Sequence, residues 1–242
     1  ADDMFLSALG ARNLAIAQAH GVDTVICLCG SCTYELLRAK ERMGNPMNLA
    51  RVNEMLKPEG LFYDARKPVQ VKHILEVLDA FPRKLGALCK RKFGVGAAVQ
   101  EPCNALRPAN LHPALNGRSS LLRDITAWTG ADCVQFEYEN RCCGGTMLAF
   151  DEPVGMELAS LRYHALEKCD AQIAITACPN CHSVYYVYPR AVDKKYGKVG
   201  FRLPSAVFIT QMLGLSMGMT FSEVGLDRHM DRKYLVKLLA KT

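Results

Sequence analysis

The stretch Asp170-Ala171-Gln172-Ile173-Ala174-Ile175-Thr176-Ala177-Cys178-Pro179-Asn180-Cys181 decides how the rest of the chain is read. Ile173 to Thr176, an apolar and β-branched run behind an acid-bearing turn, predicts a short buried strand. The run then enters a Cys-x-x-Cys turn, with Pro179 at a first helical position that needs no N–H. A second copy stands earlier, in Asp23-Thr24-Val25-Ile26-Cys27-Leu28-Cys29-Gly30-Ser31-Cys32. A helical pattern precedes each copy, Ala8 to His20 ended by Gly21 in the first and Val154 to Cys169 in the second. Helix, acid-bearing turn, buried strand, Cys-x-x-Cys and helix therefore occur twice, and a duplicated half is the simplest account.

Outward from these copies, Tyr34 to Met43 reads as a helix broken by Asn45-Pro46, and Val71 to Phe81 as another. Val95 to Val99 reads as a strand ending at Glu101-Pro102-Cys103. Ser120 to Thr129 is helical, and Cys133 to Phe136 is strand-like and leads to Cys142-Cys143-Gly144-Gly145. Alternating strands and helices imply a parallel sheet. The expectation is an α/β fold of two pseudo-repeated halves, each a small parallel sheet flanked by helices, with Cys-rich turns. The halves would cover residues 1–94 and 95–190, with a helical tail over 191–242.

At 242 residues the chain buries a substantial core, as one large domain or two ordinary ones. Half of the residues are apolar and 22% are charged, a globular balance. The longest apolar-rich piece, Ala206 to Met219, is too short for a membrane span and carries Gln211. The acidic opening Ala1-Asp2-Asp3 is unlike a signal peptide. The net charge of +6 is modest, and runs such as Lys90-Arg91-Lys92 lack the interleaved aromatics of a nucleic-acid surface. Eleven cysteines, an odd number in a long helix-rich chain, point to intracellular metal ligation and not to a disulfide scaffold.

Five of them fall into three separated clusters: Cys103, Cys142-Cys143 and Cys178-x-x-Cys181. Adjacent cysteines rarely reach disulfide geometry, whereas thiolates drawn from distant segments suit a metal or iron–sulfur centre. A Cys-x-x-Cys at a strand-to-helix turn presents two sulfurs where helix N–H groups favour an anion. Gly144 and Gly145 let backbone amides approach closely. Zinc is satisfied by four ligands, and so is a simple cubane cluster. A set of five exceeds both.

This pattern resembles the cysteine-rich CCG domain found in the B subunit of heterodisulfide reductase and in its relatives among succinate and fumarate reductases. Cys103-Asn104-Ala105-Leu106-Arg107-Pro108, Thr176-Ala177-Cys178-Pro179-Asn180-Cys181-His182 and Leu28-Cys29-Gly30-Ser31-Cys32 are similar to the family's motif stretches, and the likeness covers roughly residues 1–190. The resemblance implies a noncubane [4Fe-4S] cluster held by Cys103, Cys142, Cys143, Cys178 and Cys181, beside Gly144. It implies two ligands of a second cluster in Cys29 and Cys32. In the archaeal family member two such assemblies face each other and cleave a disulfide between them. The implied partners are a ferredoxin-like iron–sulfur subunit, a flavin-containing subunit that feeds it, and a disulfide or sulfane substrate. No nucleic acid or transmembrane span is expected. The location would be cytoplasmic, with membrane association only through partners.

This sequence departs from the family in its first half, which has no lone cysteine and no CC pair. Cys143 precedes Cys178 by 35 positions. The same offset from Cys29 places a first pair at roughly position −6. The first-half counterparts therefore lie on residues missing upstream of Ala1, or were lost from this protein; the first reading, a chain incomplete at its amino end, is the favoured one.

Other residues have plainer readings. Cys27, Cys89, Cys133 and Cys169 are packing or surface thiols, and His73, on the Val71–Phe81 helix, is structural. Met217 and Met219 belong to a core or interface. His182 is either structural or a proton donor to a thiolate leaving group, and Arg107 is either solvated or faces an anionic substrate. Three other functions stay open. One is a succinate or fumarate reductase subunit delivering electrons to quinone or thiols, for which the amphipathic Asp231 to Thr242 is a candidate membrane-binding segment. The second is a subunit in sulfur oxidation, and the third a zinc-stabilised interaction module.

Overall fold

The computed structural model describes residues 3–108, 110–111, 115, 118–197 and 202–240. The chain divides into two compact units, Ala1–Glu76 with Asn104–Asn116, and Val77–Cys103 with Gly117–Thr242. Both are α/β, each with a parallel sheet flanked by helices.

In the first unit α1 (Asp3–Ala19) leads through Asp23 to β1 (Thr24–Cys27), and α2 (Gly30–Met43) follows the Cys29 turn. Asn45 caps α3 (Pro46–Leu56), its side chain accepting from the N–H groups of Met47 and Asn48, so Pro46 restarts the helix it interrupts. The fourth helix begins after β2 (Gln70–His73), which pairs in parallel with β1 in the register Val25 to Val71. Here the anticipated helix over Val71 to Phe81 is corrected. Its first residues are strand, then α4 (Ile74–Asp79) follows, and α5 (Pro82–Leu88), split off at Pro82, belongs to the second unit. The physical reason is tertiary: Val71 and His73 gain a ladder and burial beside β1 that a local helix could not offer. His73 is thus a fully buried strand residue, its Nδ1 accepting from Leu75 N–H. Ala11, Leu14, Leu36, Ala39 and Val52 form the heart of the unit's core.

The second unit holds β3 (Gly96–Gln100), α6 (Cys103–Leu106) at its boundary, α7 (Leu121–Ala127), β4 (Asp132–Val134) and α8 (Glu152–Leu166). After these come β5 (Ile173–Thr176), α9 (Pro179–Tyr186), α10 (Pro189–Tyr196), β6 (Ser205–Phe208), α11 (Ile209–Ser216) and α12 (Arg232–Leu239). The sheet runs β4-β3-β5-β6, all parallel, with Ala98 opposite Val134, Gln100 opposite Thr176, and Thr176 opposite Phe208. All four β5 residues are buried, as a central strand covered on both faces requires.

This sheet carries the order that positions the site. After β3 the chain steps to β4 on one side, then returns to β5 on the other. The strand order therefore switches between β3 and β5, and ligand sites of open α/β sheets form outside the carboxyl ends at such a point. Residues 202–240 join the unit through β6 and the helices after it. The segment anticipated as a helical tail thus contributes a strand, because Ala206 and Val207 complete the apolar edge of β5. The amphipathic α12 turns Leu235 and Leu239 into the protein and leaves Val236 exposed. Among the described residues no helix is long and apolar enough to cross one.

Candidate metal centre

Three strands deliver the cysteines. Cys103 opens α6 three residues after β3 ends, Cys178 is the extended residue capping α9 after β5, and Cys142-Cys143 ends the loop that leaves β4. Cys178, Cys143 and Cys181 are 4%, 3% and 3% exposed, whereas Cys103 is half-buried and Cys142 exposed, so the cluster runs from the interior to the surface at the CC turn. The Sγ atoms of Cys143 and Cys181 lie 3.2 Å apart. Cys142 hydrogen-bonds with Cys103 and with Cys143, and Cys181 with Cys143 and Cys178. The five sulfurs thus form one continuous chain of contacts drawn from three remote segments. No disulfide joins any of the eleven cysteines.

The two glycines are what lets the segments meet. A Cβ on Gly145 would stand 2.2 Å from the carbonyl oxygen of Asn180, inside the Cys178–Cys181 turn. One on Gly144, whose φ is +86°, would meet the carbonyl oxygen of Gly155 at 2.6 Å. Both positions exclude a side chain, and Gly144 sits in backbone space that favours glycine. The Gly145 N–H donates to Cys143 Sγ at 3.3 Å, and Asn180 Nδ2 donates to Thr146 Oγ1 at 3.2 Å across the two turns.

The thiols titrate as a set. Hydrogen bonds from Cys103 and Cys143, the Gly144 N–H and the charge of Arg162 hold Cys142 down at about 2. Cys143, donating to that thiolate and buried, is pushed up to about 12. Cys103 rises for the same reason, and Cys181 rises through its bonds to Cys143 and Cys178 and through burial. One anion is accommodated, and each further thiolate would be created against the first. Five thiolates can share this volume only with positive charge placed among them.

Among the described residues no three His, Cys, Asp or Glu side chains are spaced as the ligands of a single ion. The donors are all sulfur, which selects soft metals and iron–sulfur clusters over calcium or magnesium. An all-thiolate set of five, larger than one tetrahedral ion uses, fits a polynuclear iron–sulfur group.

The wall of the site contains charged and polar residues that sequence reasoning did not single out. Arg162 of α8 is 1% exposed. Its Nη2 donates to the carbonyls of Tyr138 (3.1 Å) and Arg141 (2.6 Å), its Nε to Gln100 Oε1 (3.0 Å), and its Nη1 to Leu158 (3.0 Å). Gln100 Nε2 donates to the carbonyls of Glu101, Glu139 and Arg141, and Tyr185 Oη donates to Gln100 Oε1. The one available signal was position, since Arg162 falls on the helix face of Ala159, Tyr163 and Leu166, all buried. Glu101, buried two residues before Cys103, accepts the N–H groups of Leu122 and Arg123, and burial pushes it up to about 7.

His182 follows Cys181 with Nδ1 3.2 Å from Thr176 Oγ1, its ring between Tyr186 and Phe208. Burial, aided by nearby His229, lowers it to about 4, so the ring is neutral near pH 7. In the first unit Cys29 and Cys32 occupy the same kind of turn. Thr33 N–H bonds the Cys29 carbonyl at 3.0 Å, as His182 N–H bonds that of Cys178 at 2.8 Å. Among that unit's described residues, Cys27 alone joins this pair as a further cysteine, and it is buried on β1. Cys89 is buried, and Cys133 and Cys169 are half-buried and spend their thiols on carbonyl oxygens. Arg107 is exposed.

The segment over residues 97–184, which contains all five clustered cysteines, matches the cysteine-rich CCG domain. The second unit carries a CCG domain. Beyond that segment the chain is similar to longer proteins, of which it covers about three quarters. It is 28% identical to a protein of Archaeoglobus profundus that is itself named for its likeness to the B subunit of heterodisulfide reductase, over 87% of this chain and 72% of that one. It is also 28% identical to the B subunit of the ferredoxin:CoB-CoM heterodisulfide reductase of Methanosarcina acetivorans, over 88% and 71%. The membrane anchor subunit of the 8-methylmenaquinol:fumarate reductase of Wolinella succinogenes is 27% identical over 90% and 76%. In fold, the chain is similar to a hypothetical protein from Helicobacter pylori, with a TM-score of 0.70 at 21% identity. That likeness covers 92% of this chain and 41% of that one.

Proposed function

We propose that the chain is an iron–sulfur redox subunit, active within a complex, that holds one noncubane [4Fe-4S] cluster on Cys103, Cys142, Cys143, Cys178 and Cys181. It reduces, or reversibly forms, a disulfide or other sulfur substrate. One observation carries the reading: five thiols from three segments are in mutual contact at the carboxyl ends of β3, β4 and β5. The two heterodisulfide reductase relatives support sulfur chemistry.

When bound, the cluster would supply one-electron steps, and reducing a disulfide to two thiols takes two electrons and two protons. The chain's own residues do the rest. The cysteines would give up their thiol protons on ligation, the Gly144 and Gly145 amides face the sulfurs, and Cys143, Cys178 and Cys181 are shielded from water while Cys142 is open to it. His182, held neutral by burial and engaged at Nδ1 by Thr176, would offer a departing thiolate a hydrogen bond from Nε2, while the two protons would come from solvent. Electrons would come from a ferredoxin-like partner subunit, itself fed by a flavin-containing one. Cys29 and Cys32 would be two ligands of a second cluster.

The fumarate reductase relative favours a second reading, in which electrons pass to a quinone. Co-sedimentation with liposomes separates the two: with Leu235 and Leu239 buried, the chain alone is expected to stay in the supernatant.

The main test is anaerobic purification of the full chain with iron and acid-labile sulfide counted per chain. About four irons are expected on the five-cysteine set. Serine at any of its positions should lower the count while leaving the far-ultraviolet circular dichroism unchanged. Protein holding zinc and no iron would sink the proposal and leave a structural zinc module.

A further inference from the structure

Among the described residues Arg162 is paired with no carboxylate, and the negative group that its charge favours is the Cys142 thiolate. A guanidinium does not deprotonate in proteins, and burying one unpaired is expensive. Its partners are three carbonyl oxygens and the side-chain oxygen of Gln100, all neutral. Among the described residues it takes part in no ion pair. The side chain nevertheless lies at the root of the Cys142–Cys143 turn, since the carbonyl of Arg141, directly before Cys142, receives its shortest bond, at 2.6 Å.

Gln100 makes the arrangement specific. Its oxygen is taken by Arg162 and Tyr185, and its amide reaches Glu139 and Arg141 on the same loop. Arg162 and Gln100 thus grip the backbone of residues 138–141 from two elements, α8 and β3. An uncharged donor would serve a grip on carbonyls equally well, without the desolvation cost of a cation. The charge itself needs another explanation, and the sulfur-rich group beside the turn is the anion available.

We propose that Arg162 is the buried counter-charge of the CCG cluster and a positioning residue for the Cys142–Cys143 turn, raising the reduction potential by favouring the more negative, reduced state. This inference rests on the cluster assignment above. Its test compares full-length, anaerobically purified wild type with Arg162→Lys and Arg162→Gln. Three quantities are measured: iron per chain, the midpoint potential from an EPR-monitored titration, and the circular dichroism of protein stripped of iron.

Arg162→Lys, which keeps the charge, should retain the wild-type potential. Arg162→Gln should disfavour reduction about tenfold, a midpoint lower by about 59 mV for one electron. Loss of iron from Arg162→Gln, with the stripped protein folded as wild type and Arg162→Lys still loaded, would support the same role. Equal potentials in wild type and Arg162→Gln would overturn the counter-charge. So would equal loss of iron from both variants, or a stripped Arg162→Gln protein that is unfolded. Wild type without iron would instead remove the cluster assignment, a failure distinct from any of these.

Discussion

At the scale of single residues, contact between the CCG turn and the Cys178–Cys181 turn depends on the absence of one methyl group. The Asn180 carbonyl fills the space where a Gly145 side chain would begin, and backbone cannot swing aside as a flexible side chain can. Gly145→Ala should therefore push the turns apart and cost about 1–3 kcal/mol, the range for overpacking a filled interior. Gly94→Ala, in open surroundings of the same unit, should stay within about 0.5 kcal/mol. Thermal unfolding and iron per chain measure both, and equal retention of iron by the two variants would refute the close-approach account. The glycines were legible as a pattern beside cysteines. Arg162 was not, because a lone arginine between Leu161 and Tyr163 reads as a solvated helix position until the face it occupies is known to be buried.

At the scale of elements, legibility followed how completely local sequence and tertiary setting agree. Ile173 to Thr176 was read as a buried strand to the residue, since an apolar β-branched run is what a doubly covered strand needs. Replacing Ile175 with alanine should accordingly cost about 2–5 kcal/mol in thermal unfolding. β2 escaped because four residues with alternating burial blend into the helical pattern that continues from Ile74, and only its partner β1 makes them strand. β6 overlaps the start of the apolar run Ala206 to Met219, whose continuity hides the change from strand to helix at Ile209.

The packing of β6 carries a pH consequence. His229 is buried, with Nε2 2.9 Å from the Ala206 carbonyl and its ring 4.7 Å from that of Tyr186. Burial lowers its affinity for a proton below the ordinary 6.5. As pH falls through 6.5 the unfolded chain takes up a proton that the native chain resists, so the unfolded state gains. The stability from neutral His229 is intact above 6.5 and is lost as pH drops toward the lower native value. His182, titrating at about 4, adds to the loss over the same window. The melting temperature of iron-free protein should fall between pH 7.5 and 5, and less steeply in His229→Gln. Identical slopes would place the titration elsewhere.

At the scale of the whole molecule, the two units share a fold vocabulary and differ in what they offer a metal. The second gathers five sulfurs at the point where its strand order reverses, and the first offers Cys29 and Cys32 on one helical turn with Cys27 nearby on the strand. The repeated turn was visible in the sequence. The fivefold convergence was visible only by its likeness to a known motif, because contact among residues 103, 142 and 178 arises from strand order, which spacing does not encode. A pair of thiols leaves at least two of a cluster's ligand positions to be supplied from elsewhere. In the 242-residue chain, replacing both Cys29 and Cys32 with serine should therefore leave iron per chain and the EPR spectrum unchanged. Serine at Cys178 and Cys181 should abolish both. The comparison is informative because the two turns are alike in backbone and differ in the thiols they meet. If the Cys29/Cys32 variant lost iron while the second unit stayed folded, the first turn would be holding metal with ligands from outside its own unit, and the two units could not be treated as separate sites.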